Sequence, residues 1–501
     1  MVLERWVWMG GLVLGLGVGG CSDDDGGGAE EPADLPGQVR AAVEGSLGKG
    51  FATAYSIAVW KDGAVVYAEA FGSKDEAGSP ATTETLFQIG SDTKKITALA
   101  LLREVEAGNV ALDQTVAELL PDLVLASDPT YLDTVTVRDL LRQTTGLYDY
   151  APFSDAPDDG DLEGIAYGRF SENEHTLMPS GIAYRYSNPN YALAGLLTEV
   201  SAGRPWADVV AEDVLGPLGL SRTYARVRDV LAAETDVASG YGSVTFWDFF
   251  DPLEPPELEL GWLDPEEQPD NAFVRPAGLV WSTATDQARL LGFFIEGNPS
   301  VLSDELRLAM MTEQVTLYNH SAGLGYGYGF ISQSFYPSTS GTFHEIPVLA
   351  HDGGTLNMTS FSLLLPEQRV AVSVLANGMQ EDLSLVAAVA LEAAVGEPLP
   401  ARTGRPSVLG QPSDDLAAYA GSFTDPILGE ITLTWDGRRL EVESAMLDEL
   451  GVNVGPLEPV GNDLFLVDVD GEPTALSFYD GADGEPRHYG VNRAFVLTRA
   501  R

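Results

Sequence analysis

Cysteine occurs once in 501 residues, at Cys21, so the chain holds no internal disulfide, no Cys-x-x-Cys zinc site and no redox pair. Lysine is nearly as scarce, with five residues at positions 49, 61, 74, 94 and 95 and none afterwards. Lysine and arginine together number 28 against 75 acids, a net charge of −47. So acidic a chain argues against a nucleic-acid partner, which needs a basic surface to meet phosphate. It also disfavours adhesion to anionic lipid by charge alone. The five histidines, at 175, 320, 344, 351 and 488, show no His-x-x-x-His spacing, and no metal site is expected.

What the chain has in quantity is apolar residues, 45% of the total, enough to build two or three domains with cores of their own. One apolar stretch, residues 6–20, ends at Cys21. At about 15 residues it is too short to span a bilayer, but it suits the apolar region of a signal peptide. Val18-Gly19-Gly20 before the cysteine resembles the lipobox of bacterial lipoproteins, and Ser22 opens a polar, glycine-rich segment. The expectation is a signal peptide over 1–20, lipid on Cys21 and a flexible tether over 21–36. Such a chain is an exported lipoprotein, held at a membrane and facing the periplasm or the cell exterior.

From residue 37 the pattern is mixed. Residues 38–47 and 93–107 show helical spacing, and Gly108 stops the second run. Tyr55–Trp60 and Ala64–Ala68 read as a hairpin around Asp62-Gly63. Residues 190–202 and 284–296 are the clearest helices of a middle region rich in Asp, Pro and Gly. Strand-like runs return at 348–350, 358–365 and 369–375, followed by a helix over 383–395. Four prolines mark 397–413 as a linker, and short runs such as 430–435 and 464–467 predict a small antiparallel barrel over 414–501.

Three short motifs carry chemistry. Gly90-Ser91-Asp92-Thr93-Lys94 lies where a strand gives way to a helix, which places Ser91 and Lys94 on one helical face. A helix start offers free N–H groups to a developing oxyanion, and a serine hydroxyl needs an adjacent base, which a lysine stripped of charge by burial can be. Lys95 is equally placed by spacing, and the residues alone do not separate the two. Tyr184-Arg-Tyr186-Ser-Asn188 puts a phenol and an amide on one side of an extended segment. A phenol beside an ammonium ionises more readily, so Tyr186 suits proton exchange with Ser91, while Asn188 suits a substrate amide or the lysine. His351-Asp-Gly353-Gly354-Thr closes the set, its glycines letting a substrate backbone approach.

In this order the three resemble the motifs of the serine β-lactamase and penicillin-binding protein superfamily, in its class C-like branch. That branch also contains D-alanyl-D-alanine carboxypeptidases, D-aminopeptidases and esterases. Softer matches are Leu140–Leu147, Pro217–Leu220, Gly278–Thr283 and Leu324–Gly329. The resemblance runs over about residues 38–395, within a catalytic domain expected over 37–396, and implies an α+β fold: an antiparallel sheet flanked by helices, a helical subdomain, and a cleft between them. It makes Ser91 the acylated nucleophile, Lys94 and Tyr186 the proton-transfer pair, and Asn188, His351 and Gly353 substrate-binding residues. The N–H groups of Ser91 and Gly354 would form the oxyanion hole, and His351 would sit on an edge strand. No cofactor is implied. The tail resembles the lipocalin-like barrel appended to such enzymes.

His-Asp-Gly replaces the Lys-Thr-Gly usual in β-lactamases of this branch. Histidine is mostly neutral at pH 7, which weakens binding of a β-lactam or peptide carboxylate. The implied function is therefore a serine hydrolase of esterase or D-amino-acid peptidase type, ahead of D-alanyl-D-alanine carboxypeptidase and weak β-lactamase activity. No Gly-x-Ser-x-Gly supports an α/β-hydrolase instead. The rival reading is a sensor lipoprotein that binds β-lactams or peptidoglycan fragments without turnover. For the anchor, a Cys21→Ser variant expressed in bacteria should lose palmitate labelling and leave the membrane fraction. Unchanged labelling would overturn the assignment of Cys21.

Overall fold

A computed structural model describes residues 34–151, 162–173, 176–243, 260–321, 323–378, 383–396, 398–400, 411–426, 428–449, 451–469, 471–481, 484, 486–491 and 496–500. The expected signal peptide, Cys21 and most of the tether lie outside these residues, as do 397 and 401–410 of the expected linker. Among the described residues no helix is long and apolar enough to cross a membrane.

Asp34 accepts the N–H of Gly37 and, with proline in the first turn, starts α1 (Leu35–Leu47) ahead of the expected Gln38. The hairpin follows as β1 (Ala54–Lys61) and β2 (Ala64–Gly72), turned by Asp62 and Gly63, both at positive φ. Then come α2 (Thr93–Glu106), α3 (Asn188–Ala202) and α4 (Ala284–Glu296). The chain returns to strands as β3 (Val315–Thr316), β4 (Leu324–Tyr326), β5 (Ile331–Gln333), β6 (Val348–Gly354), β7 (Thr359–Leu365) and β8 (Val370–Ala376). The helix α5 (Ser384–Val395) closes this part.

These eight strands form one antiparallel sheet in the order β2-β1-β8-β7-β6-β5-β4-β3. Side-chain alternation decides which core each residue enters. Tyr55, Ile57 and Val59 of β1, with Val370, Val372 and Val374 of β8, pack under α1 and α5. Ala54, Ala58 and Trp60, with Ala371 and Leu375, face the larger core that includes α2, α3 and α4. Both faces are thus covered, and each fully buried Val, Ile or Leu contributes about 1.5–3 kcal/mol. β6 is an interior strand rather than the expected edge. Its pairing with β5 stops at Ala350, however, because that partner is only three residues long, so the motif at 351–354 runs on past it.

The C-terminal region is a second eight-stranded antiparallel sheet. Its strands are β9 (Gly421–Asp425), β10 (Gly429–Trp435), β11 (Leu440–Glu443), β12 (Glu458–Gly461), β13 (Leu464–Val469), β14 (Glu472–Tyr479), β15 (Tyr489–Val491) and β16 (Val496–Arg499). The order is β11-β10-β9-β16-β15-β14-β13-β12, and a bridge from Leu457 N–H to Leu440 O nearly closes it into a barrel. Tyr419, Phe423, Phe465 and Phe478 fill its interior, with the Tyr419 ring 4.8 Å from that of Phe465.

One loop matters for the site. The short helix Val137–Leu141 starts in a capping box between Thr136 and Asp139. Asp139 also accepts from Thr144 Oγ1 at 2.8 Å and from Arg142 Nη2 at 2.7 Å, which anchors the chain entering residues 143–149. Burial pushes this carboxyl up, but the bonds from Thr136, Thr144 and Arg142 outweigh it and hold Asp139 below the usual carboxylate range. A lowered folded pKa stabilises in full above the ordinary range, and the gain is lost as pH falls through the lower folded value. Asp139→Asn should lower stability by about 1–3 kcal/mol near pH 7, and by less in acid. Urea unfolding at the two pH values checks this, and an equal loss at both would contradict it.

Candidate active site

The strand-to-helix junction at Ser91 is built on glycine. Phe87–Gln88 pairs with Trp281–Ser282, Gly90 turns the chain at φ +51°, and Gly90–Asp92 form one 3-10 turn before α2. A Cβ on Gly90 would come within 2.3 Å of Gly354 N, and one on Gly353 within 2.0 Å of Ile89 O and 2.9 Å of Ser91 N. The tight approach at Gly353 is therefore to the Ser91 turn. Gly354 remains open at its Cβ position, and its backbone nitrogen lies beside the Ser91 turn.

Ser91, Lys94 and Tyr186 meet. Lys94 Nζ lies 3.0 Å from Ser91 Oγ, and the Tyr186 hydroxyl is 2.7 Å from the same oxygen. Lys94 is fully buried, and Nζ also donates to Asn188 Oδ1 and to Ala277 O, each at 2.7 Å. These are three acceptors, as many as an ammonium has N–H bonds. The Tyr186 ring centroid is 4.7 Å from Nζ, close enough for the charge to act on the phenol.

The neighbouring lysine is separated from this work. Lys95 points to the other side of the turn and pairs with the buried Asp92 carboxylate, which also accepts from Ser362 Oγ at 2.6 Å. Burial pushes the Lys95 ammonium down, and Asp92 and Asp352 oppose that shift. The structure thus resolves what spacing left open: Lys94 faces the serine.

Asn188 opens α3 and lies between two charges. Its Oδ1 accepts from Lys94, while its Nδ2 and its backbone N–H both donate to Asp149 Oδ1, at 3.0 and 2.7 Å. Of the two roles open to Asn188, the structure shows contact with the lysine. His351 is buried on β6. Its Nδ1 lies 2.6 Å from the Asp352 carbonyl, and its Nε2 lies 3.3 Å from the Tyr326 hydroxyl. Burial pushes Tyr326 well above the usual phenol range, so the hydroxyl beside His351 keeps its proton.

Three contributors escaped the sequence reading. Asp149 holds Asn188, and Tyr326 holds His351. Gln143, at φ +64°, accepts from Ser187 N–H and Asn190 Nδ2 through Oε1, and its carbonyl accepts from Arg185 N–H. A left-handed non-glycine residue so tied is strain held by its surroundings. The one signal for Asp149 was a carboxylate between two tyrosines just after Thr-Thr-Gly-Leu, and for Tyr326 the Gly-Tyr-Gly-Tyr-Gly run. Among the described residues no cluster of three or more His, Cys, Asp or Glu is arranged to hold a metal ion.

A buried serine in contact with a lysine and a tyrosine at a helix start has the layout of a serine acyl-transfer site. The chain belongs to the Beta-lactamase family, whose pattern it matches over residues 39–396. It is 30% identical to esterase EstB of Burkholderia gladioli over 320 residues, 57% of this chain and 76% of that protein. It is 24% identical to the unguisins hydrolase ungD' of Aspergillus campestris over 86% of this chain and 84% of that protein. The structure of the octameric penicillin-binding protein homologue from Pyrococcus abyssi superposes with a TM-score of 0.59 at 25% identity, covering 93% of this chain and all of that one.

Asp149→Ala should free the Asn188 amide to rotate and present its NH₂ to Lys94, slowing labelling of Ser91 by a fluorophosphonate by roughly ten- to a hundredfold. Asp149→Asn, which keeps an acceptor oxygen, should retain more of the rate. Equal rates for wild type and Asp149→Ala would remove Asp149 from the site.

Proposed function

We propose that this chain is an exported serine hydrolase that forms an acyl-enzyme at Ser91 on a neutral ester or amide. The observation that carries the reading is the convergence of Lys94 Nζ and the Tyr186 hydroxyl on Ser91 Oγ, at 3.0 and 2.7 Å. For this step one member of the Lys94–Tyr186 pair is deprotonated, either Lys94 as its amine or Tyr186 as a phenolate beside the ammonium; Ser91 Oγ attacks the carbonyl carbon while its proton passes to that member. The carbonyl oxygen, now negative, rests between the N–H groups of Ser91 and Gly354. The same pair returns the proton to the departing alcohol or amine, leaving Ser91 acylated, and water repeats the sequence to release the acid.

His351 supports the restriction to neutral substrates. Its ring nitrogens are engaged within the protein, Nδ1 with the Asp352 carbonyl and Nε2 with the Tyr326 hydroxyl, and it carries no fixed positive charge such as a lysine would offer to a carboxylate beside the scissile bond. Esters and amides, D-amino-acid amides among them, therefore rank above D-alanyl-D-alanine peptides and β-lactams. The 30% identity to an esterase is in keeping with that order. The tether and Cys21 would hold the enzyme at a membrane.

Purified protein should turn over nitrophenyl acetate or D-amino-acid amides faster than D-alanyl-D-alanine or nitrocefin. Ser91→Ala should lose about a thousandfold or more in kcat on any of them. Equal hydrolysis without the hydroxyl would refute the mechanism, and a preference for nitrocefin would refute the substrate class.

A further inference from the structure

The role of the barrel follows from what its strand ends touch. Two segments carry Tyr186, beside Ser91, and Tyr326, beside His351, and the Tyr186 and His351 rings lie 6.4 Å apart. One is residues 176–186, which runs beside the 143–147 loop through Leu177 N–H to Gly146 O, Gly181 N–H to Thr144 O and Arg185 N–H to Gln143 O, and ends in Tyr186. The other is the β3–β4 hairpin, whose Tyr326 holds His351 and packs its ring 5.3 Å from that of Tyr184.

The barrel grips both segments with three consecutive residues at the end of β14. Ser477 Oγ accepts the N–H of Asn319 at 3.0 Å, and the Phe478 carbonyl accepts Asn319 Nδ2 at 2.8 Å. Asn319 belongs to the turn of the β3–β4 hairpin, and beside it His320 Nε2 lies 3.4 Å from Asp463 Oδ2 of the barrel. The next residue, Tyr479, turns to the other segment. With Tyr489, Val491 and Val496 it forms a buried cluster against Leu177, Met178 and Ala183, flanked by Tyr148 and Ile182. Tyr148 adjoins Asp149, and Ala183 is three residues from Tyr186.

We propose that the barrel is a positioning element of the catalytic unit. It clamps the β3–β4 hairpin to the 176–186 segment and so fixes the separation between Tyr186 on one side of the site and the Tyr326–His351 pair on the other. A strand end hydrogen-bonded to one side and packed against the other adds to the Tyr184–Tyr326 contact in restraining this separation. Proton transfer over a hydrogen bond tolerates little such variation, since displacements near 1 Å cost about a hundredfold in rate. The catalytic part of the inference rests on the function proposed above, but the clamp itself does not.

The test uses the full chain with three variants: Asn319→Ala for the polar half of the joint, Tyr489→Ala with Val491→Ala for the apolar half, and Arg439→Ala on an exposed barrel turn as control. Hydrogen–deuterium exchange of residues 176–186 and 315–326 should quicken severalfold in both joint variants, with β7 and β8 unchanged. For nitrophenyl acetate kcat should fall roughly tenfold or more while KM stays within about twofold, the pattern of a transition-state group displaced. Arg439→Ala should match wild type throughout. Faster exchange with unchanged kcat would overturn the proposal, because the barrel would then be attached without positioning anything. Unchanged exchange in both joint variants would overturn the clamp. Should wild type hydrolyse none of the esters or amides, the function proposed above fails, and the rate of Ser91 labelling by a fluorophosphonate takes the place of kcat. Slower labelling in the joint variants would then uphold the clamp, and equal labelling would overturn it.

Discussion

Two stretches of backbone, Ile89–Ser91 and Gly353–Gly354, lie closer together than any side chain at 90 or 353 would permit. The rest of the site depends on that approach. It seats the first turn of α2 against the end of β6, and Ser360 Oγ on β7 locks it by donating to Ile89 O at 2.7 Å. Ile89 N–H is held from the other side by Val280 O at 2.9 Å. Ser91 is thus fixed by the main sheet and by the 280–282 segment before any catalytic group is considered. A larger residue at either glycine would lever α2 away from the sheet, and Lys94 would travel with the helix.

Two lysines in succession then take opposite parts. A buried ammonium without compensation costs several kcal/mol. Lys95 meets that cost with a full carboxylate, Asp92, and becomes a structural ion pair behind the turn. Lys94 is compensated by dipoles instead: a hydroxyl, an amide and a carbonyl. The Asp149 carboxylate is reached from Lys94 through one amide group, that of Asn188. The difference between neighbours on one helix comes from which way each faces, towards Asp92 and Ser362 or towards Asn188 and Ala277.

The sequence made much of this legible, because the information was local. Ser91 and Lys94 share a helical face, Tyr186 and Asn188 share a side of an extended segment, and turn residues such as Asp62-Gly63 announce the first hairpin. What stayed hidden was long-range. Asp149 reaches Asn188 across 39 residues and Tyr326 reaches His351 across 25, with no periodicity to link them. The strand β6 was expected at an edge. It lies inside the sheet because β5, β4 and β3 add strands beyond it, and those are too short, at two or three residues each, to carry an alternating pattern. The barrel could be anticipated from its many short runs, but its docking could not. The contact surfaces are single residues at strand ends, chosen by shape and not by pattern.

The shortage of lysine has a practical side. Lys94 and Lys95 are wholly enclosed, Lys61 Nζ is tucked against the carbonyls ending α5, and Lys74 is tied to Asp236. Of the five, Lys49 is the side chain that stands exposed, just after α1 on the far side of the sheet from the α2 layer. Coupling chemistry aimed at lysine amines would therefore tether the folded chain through one point, presenting all molecules to a surface in nearly the same orientation.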